Sequence, residues 1–235
     1  MLPLSLIGFG IGINHFIHLA AFSKRIALTF DDGPYGTSTA QILSILEREH
    51  VLATFFLIGK NVVQHPDQVR REVIDGDVIG NHSYSHSRLL PVMATSTLHD
   101  DISQAQSVIM QATSLQPDTL HIPQLFRIPH LFRPPYSSTS PGMIKEIKSE
   151  GYVFAGWSID PKDWDNNNSS GTVVSNVLNY AKPDGIIIMH DGHEYGTDYS
   201  RENTIEALPI IIESLKKEGY QFVTIDKILG VQPYK

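Results

Sequence analysis

Asp31 and Asp32 stand side by side where a β-type run, Arg25-Ile26-Ala27-Leu28-Thr29-Phe30, gives way to Gly33-Pro34. In a strand, neighbouring side chains point to different faces. Two adjacent carboxylates at a strand end can therefore do separate jobs, one as a base and one as a metal ligand. Alone, Asp-Asp-Gly-Pro also reads as a solvated turn, since Asp, Gly and Pro are ordinary turn residues. His82 and His86 are four apart. On a helical turn both imidazoles would project from one face, about 5–6 Å apart, and could chelate one ion; a chance pair of surface or capping histidines has the same spacing. Two imidazoles and one carboxylate make an open zinc-type site with positions left for water and a substrate oxygen. Oxygen and nitrogen ligands do not favour a soft metal.

Hydrolysis also needs an acid, a base and stabilisation of a developing oxyanion. Asp31 is the candidate base. His190 ends an apolar run and is the candidate acid for a leaving amine, or else a neutral histidine closing a strand. Arg133 is expected to hold Asp31 ionised, because a neighbouring cation lowers a carboxylate pKa. Asp163 is expected to hold Arg133 in turn through a bidentate pair. Trp164 and Tyr136 offer planar faces for stacking on sugar rings, or pack in the core.

The elements that must position these residues alternate. Helices are expected from Ser38 or Thr39 to about His50, from Pro66 to Gly76, from about Ser96 to Thr113, from Pro141 to Glu150, from Thr172 to Tyr180 and from Asn203 to Glu218. Strands are expected at 25–30, 51–58, 77–80, 152–159, 185–189 and 220–225. The Gly185-Ile-Ile-Ile-Met189 run is of the kind buried on both faces. About seven strands with helices between them imply a parallel α/β sheet, open or closed into a (β/α) barrel. The polar motifs each fall just after a strand, and in a parallel barrel those strand ends gather at one mouth.

Bulk properties narrow the function. A formal net charge of −7 argues against a nucleic-acid surface. With no cysteine and eleven histidines, any metal must be held by His, Asp or Glu. Residues 1–24 are apolar up to Lys24 apart from Ser5, Asn14, His15, His18 and Ser23, nearly the length that spans a bilayer. This segment is expected to be an export or anchor segment giving membrane association and an extracytoplasmic site of action, or else an extension packed on the barrel. Residues 25–235 form one catalytic domain in this reading. A tandem hexamer, Ile122-Pro-Gln-Leu-Phe-Arg127 and Ile128-Pro-His-Leu-Phe-Arg133, reads as a local duplication in a loop.

Five motifs in order carry a family resemblance: Thr29-Phe-Asp-Asp-Gly-Pro34, His82-Ser-Tyr-Ser-His86, Arg133-Pro-Pro-Tyr136, Asp160-Pro-Lys-Asp-Trp164 and Ile188-Met-His190. The chain resembles the polysaccharide deacetylases of carbohydrate esterase family four, the NodB-homology domain, over about residues 25–230. The resemblance implies a distorted (β/α) barrel of about seven parallel strands and one divalent metal, most often zinc. It implies Asp31 as base, Asp32, His82 and His86 as metal ligands, His190 as acid, and Arg133 with Asp163 as support for Asp31. The backbone N–H of Tyr136 would serve an oxyanion hole, Trp164 and Ile188 would line the acetyl pocket, and Pro134 falls with them at the substrate. Ser137 replaces a usual glycine, and Asp77 stands where the family often has histidine. Arg127-Ile-Pro-His130 partly copies the third motif, but only the copy at Arg133 ends in tyrosine. The implied reaction removes N-acetyl groups from N-acetylglucosamine-containing glycans, whether peptidoglycan, chitin oligomers or a surface polysaccharide. The rivals are an acetyl-xylan-type esterase or non-sugar amidase on the same fold, an inactive carbohydrate-binding module, and a scaffold with a structural metal.

Overall fold

A computed structural model describes residues 24–114, 128–193 and 200–235. The apolar segment up to residue 23 and the first hexamer copy, 122–127, lie outside the described residues. No helix among the described residues is long and apolar enough to cross a membrane.

Seven strands form one sheet whose pairings are all parallel. They are β1 (Lys24–Asp31), β2 (Thr54–Leu57), β3 (Val78–Asn81), β4 (Leu131–Phe132), β5 (Val153–Phe154), β6 (Gly185–His190) and β7 (Tyr220–Phe222). The order is β5-β4-β3-β2-β1-β6. One edge of β1 carries β6 along its length, and the other carries β7 at Lys24–Ile26 and β2 at Thr29–Asp31. The chain leaving β5 returns to β6 through a parallel bridge between Ile159 and Ile187, which curls the sheet into the expected distorted barrel.

Period-two alternation decides what faces where. On β1, Ile26, Leu28 and Phe30 join the large cluster under the helices, as do Ile187 and Met189 on β6. The intervening Ala27 and Ile186 belong to a smaller cluster with Phe56, Val78, Leu131 and Ala155, which fills the barrel below the site. Continuing that inward set upward, β1 ends at Asp31 and β6 at His190, and these two residues are register partners. The candidate base and acid therefore sit level with each other on adjacent strands.

The helices that wrap the sheet are α1 (Gly36–Glu49), α2 (Gly59–Gln64), α3 (Pro66–Asp75), α4 (Thr95–Thr113), α5 (Pro141–Ser149), α6 (Ser170–Tyr180), α7 (Glu202–Lys217) and α8 (Ile225–Leu229). Local chemistry sets several ends. Pro66 opens α3, and Gly76 closes it at φ 97°. Ser140 caps α5 by accepting from the Met143 N–H, and Ser169 caps α6 by accepting from the Thr172 N–H. Three expectations change. The 51–58 run pairs only at Thr54–Leu57, and 152–159 only at Val153–Phe154 and the Ile159 bridge. The 220–225 run stops at Phe222 and turns into α8, whose Ile228 and Leu229 pack against the barrel-filling cluster. The short α2 and the two-residue β4 stand where no helix or strand was placed, being too brief for a periodic signal.

Candidate active site

At the C-terminal ends of the strands a cleft of about 450 Å³ opens, lined by Asp31, Asp32, His82, His86, Tyr136 and His190 among others. Asp31 completes β1. Asp32 adopts a left-handed φ of 74°, which turns its carboxylate into the same mouth rather than to the opposite face. Gly33 and Gly192 make this turn sterically feasible. A Cβ at Gly33 would collide with the Asp191 carboxylate, and one at Gly192 with the Asp32 carbonyl.

His82 and His86 do not lie on a helix. The segment after β3 bends, with left-handed Ser83 (φ 67°) and His86 (φ 52°), and this tight loop brings the two rings to a centroid distance of 5.0 Å. Polar side chains shape it. Asn81 Oδ1 accepts from the Ser83 N–H at 2.8 Å, Ser83 Oγ from the His86 N–H at 3.0 Å, and Asp101 Oδ1 from the Tyr84 N–H at 2.8 Å. His82 Nδ1 donates to the Arg133 carbonyl at 2.6 Å. That bond fixes the tautomer and leaves Nε2 with its lone pair toward the cleft. Asp32 Oδ1 lies 3.4 Å from His82 Nε2 and 3.0 Å from His86 Nε2.

These three residues present ligand atoms within 4.8 Å of one another, and all three are buried. Burial alone would raise the Asp32 pKa, but its contacts with His82 and His86 and the charges of His86 and His190 outweigh it and hold the carboxyl well below its usual range. One ionised carboxylate oxygen and two imidazole nitrogens, one locked in its ligating tautomer, fit a divalent cation with positions left open. On the far side of Asp32, buried Arg201 donates from Nε to the Gly192 carbonyl at 2.8 Å and brings Nη2 within 3.9 Å of Asp32 Oδ2. Asn61 Nδ2 donates to the Asp32 carbonyl at 2.7 Å.

Arg133 is fully buried. Its Nη1 donates to Asp31 Oδ1 at 2.7 Å and to Thr29 Oγ1 at 2.8 Å. Its Nε and Nη2 donate to the Ala155 and Gly156 carbonyls at 2.9 and 3.1 Å, and the guanidinium lies over the Phe56 ring at 4.1 Å. One oxygen of Asp31 is thus fixed; the other, Oδ2, lies 3.8 Å from His82 Nε2.

Asp163 does not hold Arg133, contrary to expectation. Its Oδ1 pairs with His190 Nδ1 at 2.8 Å, and its Oδ2 accepts from the His190 backbone N–H at 2.8 Å and from Thr204 Oγ1 at 2.7 Å. The reason is topological. The Ile159–Ile187 bridge lays the Asp160–Trp164 loop beside the end of β6, not β4. Burial opposes charge on His190, yet the Asp163 carboxylate outweighs it and raises the imidazole pKa to about 9. Asp163 is itself held low, because His190 and its hydrogen bonds overcome burial.

Much of the rest of the cleft is aromatic or apolar, with Arg88, Ser137 and Asp160 among it. Tyr136 sits at a left-handed corner (φ 55°) with its ring 4.6 Å from that of His86. Pro134, Ile188, Trp157 and the half-exposed Trp164 complete the lining. All eleven residues singled out in the sequence thus lie in or against one site.

The description "Polysaccharide deacetylase" belongs to the family model that matches residues 20–155. The chain belongs to the polysaccharide deacetylase family. It is 36% identical over 211 residues to the peptidoglycan-N-acetylglucosamine deacetylase PgdA of Listeria monocytogenes, a match covering 90% of this chain and 40% of that protein. The chain therefore spans about two fifths of that relative's length. A peptidoglycan-N-acetylglucosamine deacetylase of Bacillus cereus is 36% identical over 208 residues, with 88% of each chain covered. Among solved structures, the Bc1960 peptidoglycan N-acetylglucosamine deacetylase superposes with a TM-score of 0.79 at 29% identity over 91% of each chain. A family 4 acetyl xylan esterase from Clostridium thermocellum does so with a TM-score of 0.75 at 32% identity, covering 90% of this chain and 94% of that one.

Several residues of this deacetylase-family site were not singled out in the sequence, Trp157 in the cleft lining among them. Thr29 links Arg133 to β6, its Oγ1 donating to the Ile187 carbonyl at 2.8 Å. Thr204 braces Asp163, Arg201 backs Asp32, and Arg88 lines the cleft. Thr29 lies inside the Thr29–Pro34 motif and faces inward by alternation, so the strand pattern marks it. Arg201 and Thr204 lie at the start of α7, and no local pattern marks them.

Proposed function

We propose that this chain is a zinc-dependent N-deacetylase of N-acetylglucosamine-containing glycans of the cell wall, acting outside the cytoplasm. The observation that carries the reading is the Asp32–His82–His86 cluster flanked by Asp31 on one side and the Asp163-braced His190 on the other. A divalent ion held by those three ligands would supply Lewis acidity toward an acetyl carbonyl and toward a water molecule. Asp31 acts as base through Oδ2, because Arg133 engages Oδ1. His190 acts as acid through Nε2, because Asp163 occupies Nδ1 and keeps the ring protonated at neutral pH. The Tyr136 N–H, at its left-handed corner, donates to the developing oxyanion. Trp164 and Ile188 receive the acetyl methyl group, with Pro134 beside them.

The test is acetate release from defined chitin oligomers, peptidoglycan and acetyl-xylan, before chelation, after it, and after adding zinc back. The expected result is release from the N-acetylated glycans that chelator abolishes and zinc restores. Release from acetyl-xylan alone would move the reading to an esterase. Binding of glycan with no release from any substrate would leave a carbohydrate-binding module.

A further inference from the structure

Arg88 is exposed and lines the cleft, with its guanidinium carbon 3.7 Å from the centre of the Tyr136 ring. Tyr136 in turn packs on His86, a ligand of the candidate metal site. Only two ring contacts thus separate this cation from the catalytic centre. The other two arginines near the centre are committed. Arg133 is fully buried on Asp31 and three further acceptors, and Arg201 is buried behind Asp32. Among the described residues, Arg88 is the sole exposed cation lining the cleft, and no carboxylate pairs with it. A guanidinium lying over an aromatic face keeps its N–H edge available for in-plane hydrogen bonds. Asp31, Asp32 and Asp160 line the same cleft. Asp31 is already paired with Arg133 and Asp32 faces the candidate metal site, so Arg88 is the side chain left to meet a charge carried by the substrate.

We propose that Arg88 is a specificity-determining residue that pairs with a carboxylate of the glycan, so that the cleft selects an acidic N-acetylated glycan over a neutral one. The proposal rests on the deacetylase reading and names the substrate class of that same site. In peptidoglycan the carboxylate has two sources, the lactyl ether on the sugar and the attached peptide.

The experiment compares wild type, Arg88→Gln and Arg88→Lys as zinc-loaded full chains. The substrates are neutral chitin oligomers, peptidoglycan strands stripped of peptide, and the same strands with peptide attached. The readouts are kcat/KM for acetate release and binding followed by tryptophan fluorescence. Arg88→Gln is expected to lower the acidic-to-neutral ratio of kcat/KM about ten-fold, with Arg88→Lys intermediate. A ratio change on stripped strands assigns the contact to the sugar carboxylate. A change confined to peptide-bearing strands assigns it to the peptide. An unchanged ratio overturns the proposal, including the case where Arg88→Gln weakens every substrate equally by displacing Tyr136. If wild type releases no acetate from any glycan, the deacetylase reading fails, and the ratio of binding constants decides the role of Arg88 alone.

Discussion

Replacing Asp163 by asparagine keeps the shape of the His190 brace and removes its charge. In the intact site the Asp163 carboxylate makes two 2.8 Å contacts to His190, one to the ring and one to the backbone N–H. It lifts the imidazole from an ordinary 6.5 to about 9 against the opposing effect of burial. That lift corresponds to a preference for the imidazolium on the order of 3 kcal/mol. An amide can still accept from the ring through its one oxygen, but its NH2 then faces the His190 backbone N–H and it cannot balance the ring's charge, so the imidazole pKa is expected to drop by about two pH units. Asp32 also raises the His190 pKa. A cation on Asp32 offsets that share in both proteins, so the difference between them is the quantity to measure. A group that must donate a proton loses activity as pH rises through its pKa. The alkaline limb of kcat/KM for acetate release should therefore move down by about two pH units in Asp163→Asn, with a loss of roughly ten-fold or more at about pH 8. Activity well below neutral pH should fall much less. The raised pKa is also a stability term, complete below about 6.5 and lost as pH rises through about 9, so melting temperatures of the two proteins should converge at high pH. An alkaline limb that stays in place, or a uniform loss across all pH values, would refute the assignment of Asp163 as the electrostatic brace of an acid.

Asp31→Asn is expected to retain bound metal, checked by elemental analysis, while turnover falls roughly 10²–10⁴-fold. His82→Ala should lose both, and titration calorimetry should show zinc affinity weakened far more than in Asp31→Asn. Arg133→Met leaves the buried Asp31 carboxylate without its partner and is expected to cost about 3–5 kcal/mol in chemical denaturation. Gly192→Ala places a methyl group against the Asp32 carbonyl, so it should displace Asp32 and weaken metal binding with β6 itself intact, visible as lower zinc content in a folded protein by circular dichroism.

Much of this was legible because the chemistry sits where strands end. The run from Arg25 to Phe30 and the Gly185–Met189 run are strongly β-forming, and alternation along them forecasts that Asp31 and His190 point into one barrel. The parallel architecture followed from strands and helices taking turns, although β4 is too short to show in the pattern. What failed was local geometry and pairing between distant segments. A helical turn for His82 and His86 follows from spacing alone, but Asn81, Ser83 and Asp101 supply side-chain hydrogen bonds that stabilise a bent loop instead. The partner of Asp163 depends on where its loop crosses the sheet. That crossing is set by a one-residue bridge at Ile159, which no periodicity announces. Both Arg133 and His190 were available to a buried carboxylate, and topology chose the second. Arg88 escaped notice because one exposed arginine after a motif looks like any surface charge.

Arg133 touches both halves of the centre, its guanidinium on Asp31 and its carbonyl on the His82 ring. Any shift of this residue, just past the end of β4, moves the proton acceptor and a cation ligand together. Drift in one half therefore cannot be accepted without disturbing the other. In the proposed deacetylase, changes in preference among glycans are left to rim side chains such as Arg88, which can vary without reaching that shared hinge.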